Sequence, residues 1–519
     1  MSSMKVCALC HIPAAHRCAG CRSIFYCGRD HQKAHWRTHA ASCRPYKLME
    51  NSILGRHYVA LRRIKVGEIV IKEDVPLLEA PQQDTLAVCL GCYAILTCET
   101  AKPCDSCGWP LCLSCKKHGP ECEFTSRYKD SKVSIMDFGV THPTYKCIGA
   151  VRALSLRDNH PRDYERLINL ASEIEEAIYE EAQLIAQFIK RFFNKLVDIP
   201  ESDIAKIIGI MQINGHEIPT TEPSHVAVYD LSSYLEHSCK ANCSKSFTNA
   251  GGIIIRAATT IEKDDHISIC YTDPLWGTVN RRHHLLRTKF FECTCLRCSD
   301  PSEFGTMFNA IKCTNGNCSG YMLPETFLTM MVPDYKCNQC ENALPSDSVD
   351  EMIELMGKDL TSMMKNDMAT CQAFIKRHAS KIHHNHFYMT DVKLALAQLI
   401  GQPSFGLLGL GDELIHEKIL LCKKLDALLT SIVPAENRIR GLIFFELHAA
   451  IAEFGRRQDS NQLFDILQES KKFLNDAYYL LKYEPDILPE GKIAKIARKN
   501  LHNMEQIIQK LYRNTVVPL

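Results

Sequence analysis

Cysteine and histidine pairs carry the first chemistry legible in this chain. Between Cys7 and Cys43 eight potential ligands follow C-x2-C-x7-C-x2-C-x5-C-x3-H-x7-H-x3-C: Cys7, Cys10, Cys18, Cys21, Cys27, His31, His39 and Cys43. Such close pairs can grip one face of a tetrahedral zinc ion, and four pairs suit two closed sites. A second set repeats the pairing with Cys89, Cys92, Cys104, Cys107, Cys112, Cys115, His118 and Cys122, read as two zincs rather than one with free thiols. Cys293, Cys295 and Cys298 make three close ligands that need a fourth from elsewhere, and Cys313, Cys318, Cys337 and Cys340 have the look of a small zinc ribbon. Closed sites leave no coordination position for substrate, so these metals fold the chain rather than catalyse. His383-His384-Asn385-His386 could bind metal but reads better as a polar turn before a helix.

The elements that must hold these clusters belong to a chain of 519 residues, long enough for three or so domains. Hydrophobic content of 46% and charge of 23% are ordinary for a globular protein, and a net charge of +1 makes no case for nucleic acid or an acidic membrane. The first residues lack an apolar leader core and no apolar run approaches membrane-spanning length, so the 27 cysteines are expected in the reducing cytoplasm and nucleus. Short strands are predicted at Tyr58–Leu61, Ile69–Ile71, Gly252–Arg256 and His266–Tyr271, and helical periodicity runs from Asp163 to Val197, ending before Pro200. Six helical segments follow at 351–376, 388–400, 412–431, 437–457, 461–482 and 490–513, suggesting a TPR-like stack with Leu414, Leu421, Leu425 and Leu428 as core positions. The run Gly406–Gly411 lacks phosphate-loop spacing and reads as a helix–helix loop.

The order of ligands at 7–43, with Tyr26 and Trp36 between them, resembles a MYND zinc finger; the second set resembles another with altered spacings. The stretch from Leu231 to Cys298 contains Glu236-His237-Ser238-Cys239, then Ile269-Cys270-Tyr271, then Phe291-Glu292-Cys293-Thr294-Cys295. It resembles the second half of a SET domain and its post-SET cysteines, and Ala60-x3-Ile64-Lys65-x-Gly67-Glu68 resembles the first half. The whole is similar to the SET-and-MYND (SMYD) protein-lysine methyltransferases, in their arthropod SmydA type. The resemblance implies an α+β fold: a MYND finger at 1–46, a first SET part at 47–80, an inserted MYND-like finger at 81–130 and a helical insert at 131–200. The SET core then covers 201–275, post-SET and ribbon-like zinc segments 276–348, and a helical TPR-like domain 349–519.

The same resemblance implies zinc wired as Cys7, Cys10, Cys27, His31 and as Cys18, Cys21, His39, Cys43, with Cys239 as the fourth ligand of the post-SET site. It implies S-adenosylmethionine as cofactor, a protein lysine (histone tails among them) as methyl acceptor, and proline-containing peptides as partners of a surface that includes Tyr26, Gln32 and Trp36. Tyr271 matches the tyrosine beside the transferred methyl group; Gly55, Arg56, His57, Asn214, Ser233, Glu236, His237 and Phe291 match the cofactor pocket. A lysine amine of ordinary pKa about 10.4 is roughly 0.1% neutral near pH 7.4, so the site must strip its proton, and burial beside a sulfonium does this. Two residues depart from the pattern. His57 stands where the family has a second glycine, and Glu236 where it has an asparagine. The alternative they raise is a catalytically silent SET scaffold that recruits partners through its finger.

Overall fold

A computed structural model describes residues 6–18, 24–172, 176–196, 200–402, 406–458 and 460–516. The first finger is two short antiparallel strands, His16–Arg17 and Phe25–Tyr26, and the helix Arg29–Cys43. Its core is Cys7, Cys18, Tyr26 and Cys43, too little apolar surface to fold alone without metal. The chain then enters a hairpin, Tyr46–Asn51 against Gly55–Ala60.

Ile253–Ala257 is the central strand of a three-stranded sheet, between Cys243–Phe247 and Ile69–Glu73. An unbroken apolar run suits a strand covered on both faces, and all five of its residues are buried. Ile253, Ile255 and Ala257 join Tyr46, Tyr58, Ile64, Ile71, Tyr229, Phe247 and Ile267 in the SET core. Arg256 points the other way, to the C-terminal helices. Leu78–Pro81, His225–Val228 and His216–Ile218 form a second sheet. Of the strand expected over His266–Tyr271 only Ser268–Ile269 is regular; it runs parallel to Glu236–His237.

The segment read as one helix from Asp163 onward is two, Pro161–Ile168 and Glu176–Phe192. The Asn169 carbonyl that follows the first accepts from Arg56 rather than from a continuing helix. These two pack with Ile148–Asn159 and Glu201–Asn214, neither of which the periodicity announced, around Val151, Leu154, Ile189, Phe193 and Ile207. The inner finger is continuous with this layer. Its Trp109 lies edge-on to Tyr145, whose hydroxyl donates to the Val88 carbonyl at 2.6 Å.

Beyond the ribbon come Ser346–Ser362, Met368–His378, Phe387–Leu399, Asp412–Ile432, Asn437–Arg456, Ser460–Leu481 and Pro489–Val516. The first expected segment, 351–376, is therefore broken. Asp367 accepts from the Thr370 N–H at 2.8 Å and starts a new helix. In Asp412–Ile432 the buried stripe runs through Ile415, Ile419, Cys422, Leu425, Leu429 and Ile432; Leu425 and Leu428 are core, whereas Leu414 and Leu421 are only half-buried. Gly406–Gly409 is a single turn between helices. His386 caps Phe387–Leu399 through Nδ1, as a polar turn requires.

Candidate functional site

Two ligands 2.3 Å from one tetrahedral zinc lie about 3.8 Å apart, and the cysteine sulfurs of this chain meet at that spacing. Cys7, Cys10, Cys27 and His31 form one group and Cys239, Cys293, Cys295 and Cys298 another. The inner finger gives two interleaved groups, Cys89, Cys92, Cys112, Cys115 and Cys104, Cys107, His118, Cys122. Cys313, Cys318, Cys337 and Cys340 give a fifth. Sulfur separations are 3.6 Å for Cys10–Cys27, 3.8 Å for Cys92–Cys112, 3.7 Å for Cys104–Cys122, 3.9 Å for Cys239–Cys293 and 3.7 Å for Cys318–Cys337. These are far longer than a disulfide's 2.05 Å or so and right for edges of a zinc tetrahedron. Cys18 lies 3.5 Å from Cys43 and 3.4 Å from His39, while Cys21, the fourth member of that set, lies outside the described residues.

Residues that spacing alone did not flag support these groups. His118 presents Nε2 to the Cys107 sulfur at 3.2 Å, and its Nδ1 sits 2.6 Å from Glu121. Burial would raise the Glu121 carboxyl, but Arg152, followed by His118, outweighs it and brings it down to about 2. Arg152 also reaches the Glu79 and Leu90 carbonyls and the Tyr93 hydroxyl, so the zinc-facing imidazole is oriented from the SET layer itself. Under the post-SET cysteines, Arg281 and Arg297 share Glu303, and Arg297 donates to the Cys239 carbonyl at 3.1 Å. Two guanidiniums against one carboxylate leave a positive balance beside four thiolates, which suits a doubly negative zinc–tetrathiolate centre.

Cys239 ties that centre to the candidate pocket. The parallel pairing sets His237 opposite Ile269, two residues before Tyr271. The Tyr271 N–H donates to His237 Nδ1 at 3.0 Å, while His237 Nε2 lies 3.2 Å from the Cys239 sulfur. Burial lowers His237 to about 4, so the ring is neutral and can accept at Nδ1. Its centroid lies 5.3 Å from Tyr271 and 5.7 Å from Phe291. The Tyr271 hydroxyl donates to the Leu235 carbonyl, and burial pushes its pKa above the ordinary tyrosine value. Tyr271 is thus a fixed, neutral hydroxyl in a wall of rings.

The other predicted pocket residues have their own partners. Gly55 holds φ +61° with open space where a Cβ would be. Arg56 lies over the Tyr234 ring at 5.0 Å. Ser233 Oγ donates to the Tyr229 carbonyl at 2.5 Å, and Asn214 Nδ2 donates to the Ala171 and Ile210 carbonyls at 2.8 and 2.9 Å. The two departures turn out to be one unit. His57 stacks on His266 with centroids 4.8 Å apart and planes 7° from parallel, and Glu236 sits 2.8 Å from His266 Nδ1. The imidazole and the carboxylate are occupied by a third residue rather than left unpartnered. The open turn at Gly55 and the ring wall of His237, Tyr271 and Phe291 are the features that fit a nucleoside cofactor.

Residues 7–43 match the MYND finger family and residues 55–272 the SET domain family. The inner finger falls inside the SET match, as an insertion would. SET domain-containing protein SmydA-8, isoform A, of Drosophila melanogaster is 28% identical over 58% of this chain and 66% of its own length. The chain carries a MYND finger and a SET domain and is similar to the SmydA type. The histone-lysine N-methyltransferase ASHR1 of Arabidopsis thaliana is 23% identical to this chain over 75% of it and 83% of ASHR1. Human histone-lysine N-methyltransferase SMYD3 is 30% identical over a shorter stretch, 28% of this chain and 35% of its own. By its SET domain and these relatives the chain falls in the protein-lysine methyltransferase class.

Proposed function

We propose that this chain transfers methyl groups from S-adenosylmethionine to lysine side chains of proteins, with histone tails the first substrates to test. The observation that supports this most is the junction of Tyr271, His237 and the Cys239 zinc group. It places a neutral hydroxyl, a ring wall and a metal-fixed loop at one point. Gly55, Asn214, Ser233, His237 and Phe291 would hold the cofactor, whose sulfonium supplies an activated methyl group when bound. The chain's own residues do the rest. Tyr271 orients the amine, and the rings exclude water so that the lysine reaches its neutral form. No residue here needs to be a strong base.

Relatives named as histone-lysine methyltransferases support the substrate class. For the finger, Trp36 is 47% exposed whereas Tyr26 is fully buried against the cysteines. A proline-containing peptide would therefore dock on Trp36 and Gln32, with Tyr26 behind them as packing. Cytoplasm and nucleus fit a chain whose free thiols converge, with two histidines, in groups of four ligands.

The scaffold reading predicts no cofactor binding. Calorimetry on zinc-loaded protein is expected to show saturable S-adenosylmethionine binding, and labelled cofactor is expected to methylate a histone-tail peptide. Absence of both, persisting in His57→Gly/Glu236→Asn, would leave the scaffold as the function.

A further inference from the structure

Lys289 ends the helix Thr278–Lys289, and its Nζ donates to the Gln212 and Ile213 carbonyls, each at 2.9 Å. Those carbonyls immediately precede Asn214 at the end of Glu201–Asn214. The same Nζ lies 6.0 Å from the centre of the Tyr271 ring. The next residue, Phe290, takes φ +59°, uncommon for an aromatic, and turns the chain so that Phe291 meets His237. An alkylammonium is thus built in among Asn214, Tyr271 and Phe291, held by carbonyls as an incoming lysine amine could be.

We propose that Lys289 is a resident cation of the methyl-transfer site that reads the charge of what enters, disfavouring the cationic sulfonium cofactor relative to its neutral demethylated product. The inference rests on the methyltransferase reading. Like charges a few ångströms apart in a partly desolvated site repel far more than in water. S-adenosylmethionine and S-adenosylhomocysteine differ only in the methyl group and the sulfonium charge, so their relative affinity isolates this effect from shape and from contacts to adenine and amino acid. The consequence is a site that holds spent cofactor and loads fresh cofactor reluctantly. Productive loading then requires Lys289 to lose its proton or to leave its carbonyls.

The groups set around it sharpen the point. Burial, with Lys245 on the neighbouring sheet adding to it, brings the Lys289 amine down to about 8. His216, fully buried, is held neutral well below its usual range, with Lys245 and Lys289 adding to the effect of burial. His284, on the same helix, is lowered by burial and then by Lys289. Tyr271 stays neutral, its pKa raised by burial and by Glu236. Lys245 is the charge that acts on Lys289 directly, while the Glu236 carboxylate acts on Tyr271.

The test titrates zinc-loaded full-length protein, Lys289→Met and Lys289→Arg with S-adenosylmethionine and S-adenosylhomocysteine by calorimetry. The wild type is expected to favour the neutral form by about tenfold or more, Lys289→Met to close that gap, and Lys289→Arg to keep it. An equal ratio in all three overturns the inference and leaves Lys289 as a helix cap, with the methyltransferase reading intact. Binding of neither ligand by any of them defeats that reading, and this inference with it. Should Lys289→Met not fold, the wild-type ratio measured from pH 7 to 9 decides: the gap narrows as Lys289 deprotonates, and a constant ratio overturns the proposal.

Discussion

At the residue scale, Tyr271 and His266 separate chemistry from support. Tyr271→Phe removes the hydroxyl proposed to orient the amine and keeps the ring beside His237. Methyl transfer to a histone-tail peptide is expected to fall about 100-fold while calorimetric cofactor affinity stays within about twofold. His266→Ala breaks the stack on His57 and frees the Glu236 carboxylate. That variant is expected to weaken cofactor binding by about tenfold, and adding Glu236→Gln to restore much of it; a double variant no better than the single would show that His57 alone is responsible. The sequence flagged His57 and Glu236 as separate defects because they lie 179 positions apart. His266, which unites them, carries no motif, and only the fold could supply it. Lys289 was equally silent, since a lysine two positions before Phe291 looks like any exposed helix end.

Elements show how far spacing reaches and where it stops. Ligand spacing found the groups because closely spaced pairs are local, and the fold then had only to bring pair to pair. Helix boundaries were less legible where a side chain from afar, such as Arg56 at Asn169, ends a periodic run. Burial now ranks the metal groups. Cys239, Cys293 and Cys298 are nearly inaccessible, whereas all four ribbon cysteines are half-exposed. A chelator with a colorimetric zinc readout should therefore strip the ribbon first and the post-SET site last; a Cys313→Ser variant should lose the fast phase alone. In the inner finger, Arg152→Met leaves Glu121 buried without its main partner, and a loss of about 3 kcal/mol in urea denaturation is expected. In the C-terminal stack, Arg456 and then burial and Arg457 set the Glu453 carboxyl, which falls to about 2. Its contribution is complete above the ordinary carboxylate pKa and fades as pH drops toward 2, so the acid midpoint should shift upward in Glu453→Gln.

For the whole molecule, the junction between the SET sheet and the helical stack is polar and specific. Arg256 donates to the Tyr479 and Leu480 carbonyls at 2.7 and 2.9 Å, ending Ser460–Leu481 from across the junction. Ser246 donates to Glu484 at 2.6 Å, and Asn437 to Ser244 at 2.7 Å. Gly67, at φ +82°, lets the Tyr479 hydroxyl come closer than any Cβ would allow. Arg256→Met is expected to cost about 2–3 kcal/mol and to split one thermal transition into two. The TPR-like label conveyed helices in sequence but not this seam, because seam contacts pair residues more than 190 positions apart. The seam also changes what the last helices mean for the cell's quality control. A ribosome that has released residues 1–459 has delivered every zinc ligand and Tyr271, yet the sheet still presents the Arg256 guanidinium and the Ser246 hydroxyl without their seam partners. The SET half is therefore expected to stay open at this face during synthesis until residues 479–484 arrive to close it.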